Sequence, residues 1–167
     1  MKSSEIWIKK LGLTPHPEGG YFKEVYRSNE AIPNTALPER YSGNRAYATS
    51  IYFLLEGNQF SAWHILQSDE IWYFSCGSHL YIHIMDNNGN YTKHSLGTDI
   101  EKGEEPQIII PKQSWFAAEV ANKESYSLVS CAVAPGFDFA DFELGSKEDL
   151  KKQFPQHKEI INKFAIR

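Results

Sequence analysis

The chain has 167 residues, a formal charge of −4 and an aromatic content of 14%, enough for one domain with a real core and too short for two comfortable ones. Acidic and basic residues are interspersed, so there is no basic stripe to track a phosphate backbone, and nucleic acid is not an expected partner. No apolar run approaches the roughly 18 residues that span a bilayer, and residues 1–10 lack the apolar core of a targeting segment; the expectation is a cytoplasmic protein without membrane contact.

In chain order, Ser4 is placed to cap a short helix with Trp7, Ile8 and Leu11 on one face and Gly12 at its end, read as a lid or end plug. The run PHPEGG at 15–20 is a turn, because its prolines fix φ and its glycines permit tight bends. Runs rich in β-branched and aromatic residues then predict strands at 21–27, 45–55, 60–67, 71–75, 80–85, 91–95, 107–110 and 126–134, the pattern of a sandwich or barrel. Glu56-Gly57-Asn58 and Cys76-Gly77-Ser78 are turns, and 86–90 is a hairpin loop. Residues 28–44 have no period and read as a long loop over the barrel mouth. Beyond Pro135-Gly136, Ser146 caps a helix that Pro155 stops, and Ile160, Ile161 and Phe164 form a second apolar face; these helices are expected outside the barrel. Cys76 and Cys131 stand apart, without a CxxC motif, and are expected as buried free thiols.

The stretch 57–77 carries the chemistry. With His64 on one strand, Glu70 on the next and a short turn at Ser68-Asp69, both side chains fall on the same side of the sheet. The same alternation turns Ala62, Leu66, Trp72 and Phe74 inward, making a polar pair within an aromatic wall.

The spacing of Gly57, His64, Glu70 and Gly77 resembles the first cupin motif, with Leu66 where a second histidine is expected. Pro111, Gln113 and Phe116 resemble the second, with Gln113 for its glycine and Phe116 for its histidine, so two of the four family metal-ligand positions are replaced. The longer blocks PHPEGGYFKEVYRS at 15–28, SAWHILQSDEIWYF at 61–74 and APGFDFADFELG at 134–145 are similar to a branch of cupin-like proteins whose members mostly lack an assigned activity. That resemblance implies an all-β, double-stranded β-helix, the cupin jelly roll, with short terminal helices over 1–167, and usually a homodimer. Open sheet edges that pair across a two-fold would suit such a dimer.

Three functions remain open. His64 and Glu70 are suitable ligands for Zn, Mn or Fe(II), with His83, Gln59 or Glu119 to complete the set, although His83 points outward if Leu80, Ile82 and Ile84 face in. Metal-free acid–base chemistry is the first enzymatic reading: an isomerase or epimerase, like the sugar-nucleotide epimerases of this fold, in which His64 takes a proton and Glu70, Tyr73 or Tyr21 returns one. Residues 20–24 resemble the Gly-x-Phe-x-Glu strand of those enzymes, with Gly19 in place of their preceding arginine. The third is a binding module for a small polar or carbohydrate-like ligand, in which Trp63, Trp72, Trp115 and Phe116 stack on a ring while Glu18, His64 and Asp138 orient it. Beside these stand structural roles: Glu18 bracing its own turn, Asp138 and Asp141 bracing theirs, Arg27 and Arg45 as ordinary strand residues.

Overall fold

A computed structural model describes residues 3–166. Helix α1 (Ser3–Leu11) is followed by strands β1 (Thr14–Pro15), β2 (Tyr21–Arg27), β3 (Ala31–Ile32), β4 (Arg45–Ala46), β5 (Thr49–Glu56), β6 (Phe60–Ile65), β7 (Asp69–Gly77), β8 (Leu80–Met85), β9 (Tyr91–Leu96), β10 (Gln107–Ile110), β11 (Trp115–Val120), β12 (Tyr126–Ala134) and β13 (Glu143–Leu144), then helices α2 (Lys147–Gln153) and α3 (Lys158–Phe164). The strands form two facing antiparallel sheets, in the orders β1-β2-β5-β12-β7-β10 and β13-β6-β11-β8-β9, with β3 and β4 pairing separately. This is the expected jelly roll. Among the described residues no helix is long and apolar enough to cross a membrane.

The core between the sheets takes Phe53, Leu55 and Trp72 from one side and Ile82, Ile84 and Phe116 from the other. Strict alternation produces it: along β7, Glu70 and Trp72 are buried while Tyr73 is exposed, as a period of two dictates. Strands β6 and β7 are consecutive but lie in opposite sheets, so His64 and Glu70 are not side by side on one sheet, as the spacing implied. They face each other across the barrel.

The terminal helices cover the outer faces. Trp7, Ile8 and Leu11 of α1 pack against Leu13, Leu54 and Leu128, behind the six-stranded sheet, so α1 is a buttress and not a lid. Gly12 does end it, at φ +65°, but the Ser4 hydroxyl donates to the Glu56 carboxylate at 2.7 Å instead of capping the helix. Ser146 caps α2 as expected, accepting from the Asp149 amide. Leu150, Phe154, Ile161 and Phe164 bury Trp63 and Trp115 behind the five-stranded sheet. Those two tryptophans, expected at a ligand, therefore belong to the helix interface. Segment 28–44 does not roof the mouth either: none of its residues lines the barrel's cavity, and Arg40 Nε donates to the Gln67 carbonyl at 2.9 Å while Tyr41 Oη meets Ser68 Oγ at 2.8 Å, tying the loop to the turn between β6 and β7.

Strand β11 lies outside the strands read from sequence. All six of its residues are buried, because β11 is the middle strand of its sheet, with the barrel on one face and the C-terminal helices on the other. Two covered faces erase the alternation, and Ala117, Ala118 and Glu119 carry little intrinsic strand preference.

Candidate functional site

The turn at 15–20 builds the floor of the site. Gly19, at φ +114°, lies so close to β6 that a Cβ there would collide with the Phe60 carbonyl oxygen, and the Ala62 amide donates to the Glu18 carbonyl at 2.8 Å. Glycine is what allows this approach. It inserts the Glu18 carboxyl beside β6, where Ser61 Oγ donates to Oε1 at 2.8 Å and His64 Nε2 lies 3.1 Å from Oε2.

The cavity above has a volume of about 260 Å³, just under the roughly 300 to 1,000 Å³ of most ligand pockets. Its polar groups are His16, Glu18, His64 and Glu70, its walls include Phe22, Phe53 and Trp72, and its rim is Glu24, Arg27 and the segment carrying Phe137, Asp138 and Phe139. His64 and Glu70, the residues singled out in the sequence, thus meet in one buried hollow, exposed by only 2% and 7%.

His64 is held on three sides. Its Nδ1 lies 2.7 Å from the Ala62 carbonyl oxygen, Phe116 packs on the ring with centroids 3.9 Å apart, and Glu18 meets Nε2. A carbonyl only accepts, so Nδ1 carries a proton. Burial holds the ring's pKa down at about 3, with the Ala62 hydrogen bond opposing and His16 adding to the fall. Burial likewise drives the Glu18 carboxyl well above the usual carboxylate range; the neighbouring Glu70 adds to this and the Ser61 hydrogen bond opposes it.

Glu70 differs from Glu18 in its partners. Burial raises it to about 7, against the nearby Trp72 indole, yet neither Glu70 Oε2 nor Trp72 Nε1 finds a well-formed hydrogen-bond partner among the described residues. A buried carboxyl that changes charge near neutrality and lacks a full set of partners has the character of a functional group.

Trp72 lines the cavity, whereas Phe74 packs on the barrel core beside it. Phe116 forms the wall behind His64. Asp138 reaches the rim, where its carboxylate also accepts from the Ala140 amide at 2.8 Å, so the bracing role and the rim position coincide. Asp141 braces too, through a buried pair with Arg45. Tyr73 is 38% exposed on the outer face of β7, and Tyr21 packs beneath α1; strand alternation excludes both from the cavity. His83 does turn away from the barrel, but it is buried under α3, with Nδ1 2.7 Å from Tyr91 Oη and Nε2 3.4 Å from Glu119.

Sequence alone assigned no role to His16; Cys131 is the buried free thiol expected, while Cys76 is only half-buried. His16 accepts from the Glu18 amide at 3.3 Å, stands edge-on to Phe22 with centroids 4.6 Å apart, and is pushed down to about 4 by burial. Its place two residues before Glu18 in the glycine turn was the available signal. Cys131 lines the cavity as a free thiol; burial first, then Glu70 and Glu18, hold it protonated, which suits a wall and not a nucleophile.

A metal does not fit this donor set. At the two other positions where the cupin motifs it resembles place metal ligands, this chain carries Leu66 and Phe116, side chains without a donor atom. No three His, Cys, Asp or Glu side chains among the described residues converge on a point that could hold an ion, where stable sites generally use at least three protein donors.

The family described as "Cupin superfamily (DUF985)" matches residues 5–145. An uncharacterized protein of Saccharomyces cerevisiae is 30% identical over 154 residues, 87% of this chain and 76% of its own. Among solved structures, a hypothetical protein from Leishmania major superposes with a TM-score of 0.91 at 36% identity over the whole of both chains. A protein from Shewanella oneidensis gives 0.88 at 39% identity, over 99% of this chain and 98% of that one. Oxalate decarboxylase from Bacillus subtilis, at 16% identity and a TM-score of 0.55, covers 90% of this chain and 36% of its own, a likeness of fold alone.

Proposed function

The chain belongs to the cupin superfamily, in the group described as DUF985, and on that footing we propose that its cavity binds a small, uncharged, carbohydrate-like carbonyl compound and isomerises it by metal-free proton transfer. Glu70 is the base. The carrying observation is its carboxyl, buried, incompletely partnered and tuned to about 7, which is where a general base works best at neutral pH. His64, the base suggested by sequence spacing, has its Nε2 lone pair occupied by Glu18 and serves to position that residue.

Glu70 as carboxylate takes the proton from the carbon next to the carbonyl, and the electron pair passes to the carbonyl oxygen. Return of the proton to either face, or to the neighbouring carbon, completes an epimerisation or an isomerisation and restores Glu70. The walls of Phe22, Phe53 and Trp72 exclude water and offer faces for the ring carbons.

The test is proton exchange in D2O with a panel of free aldoses, ketoses and lactones, read by loss of the C–H signal. Exchange that falls by about 100-fold or more in Glu70→Gln and is untouched in Tyr73→Phe supports the reading. A sugar that binds in the cavity and returns without deuterium would instead make the protein a binding module. Self-association is proposed as well, through the outer face around the edge strand β10, where Ile109, opposite Ile71, is 56% exposed and Tyr73, opposite Gln107, is 38% exposed. Light scattering that reports a monomer overturns that part.

A further inference from the structure

We infer that Glu18 is held as the un-ionised acid, its proton shared with His64 Nε2, and that this pair is the proton donor to the oxygen of the bound molecule. The inference rests on the proton-transfer reading of the cavity and adds its second half.

Hydrogen-bond accounting gives the state of the pair. Ala62 O, 2.7 Å from Nδ1, requires a proton there. Ser61 Oγ donates to Glu18 Oε1 at 2.8 Å, leaving Oε2 to face Nε2 at 3.1 Å. Two bare lone pairs at that distance repel, so one proton lies between them. Its alternative location, on Nε2, creates an imidazolium and a carboxylate at residues exposed by 2% and 5%. The structure gives that ion pair little support: beyond His64 the carboxylate has the Ser61 hydroxyl on Oε1 and, on Oε2, His16 Nδ1 at 3.4 Å, a ring that burial keeps neutral. The neighbouring His16 presents Nδ1 as an acceptor to the Glu18 amide. Charge separation in so dry a place is costly unless extra hydrogen bonds repay it, and the neutral pair avoids it.

Both members line the cavity with Glu70, which sits on the opposite sheet. A carbonyl oxygen reaching the pair can replace Nε2 as acceptor and take the proton from Oε2 as Glu70 removes one from carbon. The product is an enol, Glu18 is left as carboxylate and Glu70 as acid, and collapse of the enol in the reverse sense restores both. No co-reactant is needed. The pair also selects for an uncharged molecule: the cationic side chain at the rim, Arg27, is already bound to both oxygens of Glu24 and to the Phe137 carbonyl.

The ligand-free protein decides the matter through nitrogen NMR of its histidines, with His64 assigned by a His64→Gln variant. The expected result is a neutral ring with the proton on Nδ1 from pH 5 to pH 8. In Glu18→Gln, whose amide N–H imitates the acid, the His64 tautomer and the melting temperature stay as in the wild type, while sugar proton exchange falls about 100-fold or more. An imidazolium at pH 7, or a proton on Nε2 alone, overturns the inference whatever Glu70 does. Full exchange in Glu18→Gln overturns the donor role while leaving Glu70 as base.

Discussion

Arg45 and Asp141 meet through two parallel hydrogen bonds, Nε to Oδ2 at 2.7 Å and Nη2 to Oδ1 at 2.6 Å, with 3% and 5% of their side chains exposed. The pair ties β4 to the segment that supplies Phe137, Asp138, Phe139 and Phe142 to the cavity. Removing one partner of such a pair strands the other charge in the interior. Asp141→Ala is therefore expected to cost about 3 to 5 kcal/mol, measured by urea unfolding, and to loosen the rim, measured as faster amide exchange at 137–142. A loss under about 1 kcal/mol would mean that Arg45 finds water or another partner.

Glu70 sets a pH dependence of definite sign. Its folded pKa, about 7, lies above its ordinary value of 4.5, so its contribution to stability is whole below pH 4.5 and is lost as pH rises towards 7 and beyond. Glu70→Gln lacks that loss. The unfolding free energy of the variant minus that of the wild type should therefore grow between pH 4.5 and pH 8, by up to about 3 kcal/mol, and then level off. A difference that stays flat would place the carboxyl in its ordinary range.

Gly19 and Gly103 separate backbone strain from close approach. Both have positive φ, but a Cβ at Gly103 meets nothing within 4 Å while one at Gly19 meets the Phe60 carbonyl. Gly103→Ala should cost about 1 kcal/mol. Gly19→Ala should cost more, about 2 to 3 kcal/mol, and should also move the His64 resonances, because the turn that carries Glu18 must withdraw from β6.

Phe164, 1% exposed, closes the C-terminal helices on Trp63, His83 and Phe60, with ring centroids at 6.2, 4.7 and 5.7 Å. Phe164→Ala is expected to cost about 3 to 5 kcal/mol, read as a lowered urea midpoint. His64 should be undisturbed, since α3 lies on the far side of its sheet. A shifted His64 tautomer would show that the helix interface and the cavity are coupled.

Much of the barrel was legible in the chain itself. Runs of β-branched and aromatic residues located most long strands, and alternation along them assigned Trp72 and Glu70 inward. Local geometry also identified the 86–90 hairpin, where the Asp86 carboxylate accepts from the Asn88 and Asn90 amides, and the Ser146 cap of α2. These features depend on residues a few positions apart, which is the range over which sequence pattern and backbone chemistry agree.

What the sequence by itself determined was therefore the inward face of His64, Glu70 and Trp72 along their own strands, and the membership of His64 and Glu70 in one hollow. Only the tertiary structure decided who meets whom. It put β6 and β7 in opposite sheets, brought Glu18 on a glycine turn to His64 across 46 residues of chain, turned Trp63 and Trp115 to the helices, and left Tyr73 in solvent. The reason is physical: alternation is set by neighbours along the backbone, whereas a shared proton or a packed ring is set by distances between segments that no periodicity encodes.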